Sequence, residues 1–169
     1  MNKSKQDKLD ILKGALYLEH KGKALYDSVV ETTEVPEVKE LFQMLSKEED
    51  HHREILKKQY SRVMKGEDFD VSELEKSHSD VGDQVLSSET VNNIFGAGYE
   101  AAVVSAALEF EKNAVEYYSQ HADAAESESQ SQLYQWLADW EKTHMEMLAK
   151  IDDDIKERIW FDNRFWPLD

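Results

Sequence analysis

A chain of 169 residues is long enough to bury one hydrophobic core and short for two. Its 36 acidic residues against 20 basic ones leave a net charge of −16, a field that repels nucleic acid and anionic membranes and either draws cations or keeps the surface solvated. With no cysteine there are no disulfides and no thiolate-held iron; with no long uncharged apolar run and a polar start, MNKSKQDKLD, the expectation is a soluble cytoplasmic protein.

Six glycines and two prolines, with apolar residues recurring at steps of three and four, predict an all-α chain. The first helix runs from about Lys8 to Thr32, with Leu12, Ala15, Glu19, Gly22, Tyr26 and Val29 on one stripe. The second begins near Pro36, a suitable first-turn residue, and carries Val38, Phe42, Leu45, Glu49, His52, Leu56, Gln59 and Val63. Residues 65–98 are polar and interrupted by glycine, with at most a short helical piece such as Val71 to Lys76. The third helix, from about Tyr99 to Ala125, carries Val104, Leu108, Glu111, Val115, Tyr118 and Ala122. The fourth, from about Gln130 to Glu157, carries Leu133, Leu137, Glu141, His144, Leu148, Ile151 and Ile155.

Hairpins at about 8–64 and 99–157, joined by a crossover at 65–98 and followed by a tail at 158–169, predict a four-helix bundle. The crossover is too long for a tight turn and can return along the bundle, so that the third helix starts parallel to the second.

Shifting the chain by 92 residues, without a gap, places Glu19 on Glu111, Tyr26 on Tyr118, Leu45 on Leu137, Glu49 on Glu141 and His52 on His144. The two halves are one hairpin written twice. Residues 19 and 49 lie equally far from the TEVPE turn, and 111 and 141 equally far from AAESESQS, so each hairpin presents two carboxylates and an imidazole at one level.

The segment KEEDHHREIL holds two overlapping Glu-x-x-His pairs, Glu48 with His51 and Glu49 with His52. Only the second recurs in ADWEKTHMEM and falls on the apolar stripe; Glu48 and His51 are read as flanking residues. Ionised carboxylates in a core require compensation, and no Lys or Arg lies on the four stripes. Two divalent cations would balance four carboxylates, with neutral imidazoles completing the coordination. The other reading is a decayed duplication whose polar groups merely pair. Tyr26 and Tyr118 are read either as residues that hydrogen-bond a carboxylate or serve in redox chemistry, or as ordinary core tyrosines. His20, His78 and His121 fall outside the site, and Trp136, Trp140, Met145 and Met147 are assigned to helical packing.

With the motifs LYLEHKGKALY, MLSKEEDHHREIL, LEFEKNAVEYY and WLADWEKTHMEML, the chain resembles ferritin-like proteins of the rubrerythrin group over nearly its whole length apart from the crossover and tail. The resemblance implies a di-iron centre in which Glu49 and Glu141 bridge the metals, Glu19 and Glu111 are terminal, and His52 and His144 bind one metal each. It implies oxidation of Fe(II) by H2O2 or O2, with iron binding or handling without turnover as the alternative; manganese fits the same donors.

Two departures stand out. The cysteine-held rubredoxin module of full-length rubrerythrins cannot be present, so turnover would need an external electron donor protein. A seventh ligand found in the group would fall at Ala114, which cannot ligate. Finally, RIWFDNRFWPLD carries four large aromatics, whose cover is expected to be the crossover or the partner in a homodimer.

Overall fold

The computed structural model describes residues 3–72, 74 and 98–162. Four helices account for nearly all of them: α1 (Lys3–Thr32), α2 (Pro36–Lys65), α3 (Gly98–Asp123) and α4 (Glu128–Asp162). This is the all-α four-helix bundle that the stripes predict, in the ferritin-like form that the resemblance implies. Helix α4 continues to Asp162, into the segment expected to be tail, while residues 163–169 and most of the crossover lie outside the described residues. Of the helical piece expected from Val71 to Lys76, the described part is a single turn, closed by Leu74 N–H to the Val71 carbonyl at 3.3 Å.

Side-chain contacts fix the directions of the helices. Helices α1 and α3 meet through Tyr26 with Glu111 and Tyr118 with Glu19, so they run antiparallel. Helices α2 and α4 meet through Glu48 with Trp140 and His144, and through His52 with Glu141, and are antiparallel too. Since α1 with α2 and α3 with α4 are hairpins, α2 and α3 must point the same way, as the long crossover requires.

The stripes are buried as their spacing predicts, with one exception. On α3 it is Ala114, not Val115, that faces the core, because Glu111 and Tyr118 are spaced three and four residues from Ala114. Apolar residues gather in two clusters, one around Phe42, Leu45, Val104 and Leu148 and another around Leu12, Leu56, Leu133 and Leu137. The repeated Glu and His residues form a polar layer between them.

The end of α2 is built for a stop. Gly66 adopts φ 81°, its N–H bonds to the Val63 carbonyl and the Glu67 N–H to that of Arg62, each at 3.0 Å, which satisfies two carbonyls the helix leaves open. The Gln59 side chain then bonds both backbone groups of Asp70, at 2.7 and 2.9 Å, folding the chain back onto α2, where Phe69 packs on Tyr134.

Candidate metal centre

Each helix contributes to the polar layer: Glu19 from α1, Glu49 and His52 from α2, Glu111 from α3, Glu141 and His144 from α4. None is more than 3% exposed. The apolar neighbours one turn away, such as Leu45 and Leu56 on α2, drag these residues into the interior by their own burial. All six sequence-predicted residues are therefore brought together.

They form two overlapping groups. One comprises Glu19, Glu49, His52 and Glu141, the other Glu49, Glu111, Glu141 and His144, and within each group one ligand atom from every residue lies within 4.8 Å of the others. Glu49 and Glu141 belong to both. The imidazoles present Nδ1 inward: His52 Nδ1 lies 2.9 Å from Glu141 and 3.2 Å from Glu19, while His144 Nδ1 lies 3.2 Å from Glu141 and 3.5 Å from Glu111. The rings stack with centroids 6.3 Å apart.

The tyrosines bond crosswise. The Tyr26 hydroxyl on α1 donates to Glu111 on α3, and the Tyr118 hydroxyl on α3 donates to Glu19 on α1. The repeat maps one bond onto the other, so both tyrosines hold outer carboxylates of the cluster rather than being ordinary core residues. Burial, reinforced by the nearby carboxylates, pushes both phenols well above their usual range, which keeps them protonated as donors.

Protonation within the layer reflects crowded acids. Burial, then the charges of Glu19 and Glu141, pushes Glu49 well above the usual carboxylate range. Burial and the Glu141 charge raise Glu111 to about 8. Burial works to raise Glu141 as well, but the two imidazoles outweigh it and hold that carboxyl well below its ordinary value. His52 is raised to about 10 and His144 well above its ordinary value, because carboxylates overcome the burial that disfavours their charge. Without a cation, protons carry the positive charge that the layer needs.

Those protons leave the layer incompletely satisfied. Both oxygens of Glu141, Glu111 Oε2 and His144 Nδ1 are buried without a well-formed hydrogen bond among the described residues, even though histidine nitrogens approach Glu141 to ion-pair distance. Convergent lone pairs with no hydrogen-bond partner are the donor set that a bound cation satisfies. The oxygen and imidazole composition suits iron or manganese.

The comparisons agree. The family model described as Rubrerythrin matches residues 10–152. The chain belongs to the rubrerythrin family. No curated protein and no solved structure matches it with significance. Family membership and the buried Glu and His cluster together point to a metal site, and Ala114, where the resemblance places a seventh ligand, is buried with only a methyl group to offer.

Three residues have surroundings the sequence reading did not anticipate. Glu48, read as flanking, turns inward, accepts a hydrogen bond from Trp140 Nε1 at 3.1 Å and is bonded to His144 Nε2. Trp136 and Trp140, read as packing, lie edge-on to the His52 ring with centroids 5.6 and 5.5 Å away. A signal for Glu48 was available: in antiparallel register α2 meets α4 with residue 52 beside 141, which brings residue 48 beside 144.

Proposed function

We propose that this rubrerythrin is a di-iron carboxylate oxidoreductase that oxidises Fe(II) with H2O2 or O2, re-reduced by an external electron donor protein. The observation that carries the reading is the pair of overlapping donor groups that share Glu49 and Glu141. In this assignment Glu49 and Glu141 would be shared between two ions, Glu19 and Glu111 would be terminal ligands, and His52 and His144 would hold one ion each. An iron pair supplies two electrons when bound, enough to reduce one H2O2, with two protons, to two waters.

The chain's own residues prepare that chemistry. The four carboxylates neutralise the ions' charge, and the crossed tyrosine bonds fix the outer carboxylates at both ends. The apolar clusters above and below keep bulk water from competing for the ligands. A homodimer belongs to the same proposal.

The test is anaerobic loading with Fe(II) followed by H2O2. One peroxide should be consumed for about two Fe(II) bound, and Glu49→Ala should abolish the reaction by removing a shared ligand. Iron-loaded protein that fails to react with peroxide would remove the enzyme reading. It would leave iron binding without turnover, the alternative that the methyl group of Ala114 favours.

A further inference from the structure

The repeat relates the two imidazoles of the cluster, yet their other ring nitrogens have different neighbours. His144 Nε2 is bonded to Glu48 Oε2, and the same oxygen accepts the Trp140 indole N–H at 3.1 Å. The Glu48 side chain is only 18% exposed, so this is a largely dry contact. His52 Nε2, in contrast, is buried with no hydrogen-bond partner among the described residues, and its ring packs on two indoles.

The difference comes from one position of the repeat. Glu48 and Trp140 are 92 residues apart, so they are the two copies of the same site, and they touch each other. They therefore lie where the halves of the bundle meet. Because one copy is an acid and the other an indole, an otherwise symmetric layer is backed by a carboxylate on one side only.

An imidazole whose outer N–H is held by a carboxylate is fixed in tautomer and orientation, and its inner nitrogen becomes a stronger donor. We propose that Glu48 is a positioning residue that holds the Nε2 proton of His144, aims Nδ1 at Glu111 and Glu141, and makes the two ion positions unequal. The position built from Glu49, Glu111, Glu141 and His144 fills first, and the one built from Glu19, Glu49, His52 and Glu141 fills second. The inference rests on the two-metal reading of the cluster and deepens it.

The experiment is an anaerobic Fe(II) titration by calorimetry on the full chain, comparing wild type, Glu48→Gln and Glu48→Ala, each also combined with His144→Ala or His52→Ala. Wild type should bind two ions in separable steps. Glu48→Ala should weaken the tighter step by about 10- to 100-fold. Glu48→Gln keeps the shape and an acceptor but loses the charge, so it should fall between the two. If Glu48 only filled space, the glutamine variant would match wild type.

The effect should vanish in the His144→Ala background and persist in the His52→Ala background. In Zn(II)-loaded protein, a downfield imidazole N–H proton assigned to His144 should be present in wild type and lost in Glu48→Ala. Unchanged titration steps in Glu48→Ala, or an equal loss with and without His144, overturn the inference while leaving the metal centre intact. A wild-type protein that binds no Fe(II) overturns the metal-centre reading and this inference with it.

Discussion

At Gly22 the metal layer and the helix backbone are in direct conflict over space. A Cβ added there would lie 2.7 Å from Phe110 and 3.1 Å from the Glu49 carboxyl group. Alanine would gain about 1 kcal/mol in helix propensity over glycine, but overpacking costs about 1–3 kcal/mol, and the Phe110 ring can yield more readily than a carboxylate committed to two donor groups. Gly22→Ala should therefore change the melting temperature of the metal-free protein little and weaken Fe(II) binding clearly, as titration would show. Unchanged Fe(II) binding would mean that Glu49 shifts freely.

At the level of helices, α2 shows how an element's end is separated from its function. Gly66 sits in the left-handed region at φ 81°, with nothing within 4 Å of where a Cβ would be, so Gly66→Ala pays only the conformational penalty of about 1–2 kcal/mol. Seventeen residues at about 1.5 Å each place it some 25 Å along the helix from Glu49. The unfolding free energy measured in denaturant should fall by that amount while Fe(II) affinity stays unchanged.

The helices themselves, and the six polar residues within them, were legible in the sequence, because burial imposes a period of 3.6 residues and the duplication repeats the ligand spacing at a fixed offset. What was not legible depends on contacts between helices that no single stripe encodes. Glu48 lies off its stripe and meets His144 only once α2 and α4 are packed. Val115 was taken for a core residue because valine is apolar, whereas the rotation of α3 is set by Glu111 and Tyr118 and turns Ala114 inward.

Across the whole molecule, metal and protons compete for one layer, and the sign of that competition can be worked out. Glu111 is raised from its ordinary 4.5 to about 8 and His52 from 6.5 to about 10, so between those limits the native state holds more protons than the unfolded chain. The stability they contribute is fully present below the unfolded values and is lost as pH rises through the folded ones. Glu141 is shifted the other way, and its contribution is lost only in acid, below its ordinary 4.5. Metal-free protein should therefore melt at a lower temperature at about pH 9 than at about pH 6. Metal binding releases the same protons, so the melting gap between loaded and chelator-treated protein should widen over that range. A gap that narrows with pH would contradict the protonation pattern. Surface acids are common to both forms and do not set this difference.

The contact between Glu48 and Trp140 also says something about how such a layer can arise. Two identical hairpins associating about a twofold axis would meet themselves at this position, acid opposite acid or indole opposite indole, since an isologous contact forces like against like. Covalent linkage of the two copies removes that constraint, because each can then change alone. The acid and indole pair is a contact that two identical hairpins could not encode, and it marks the point where a symmetric assembly was free to become unequal.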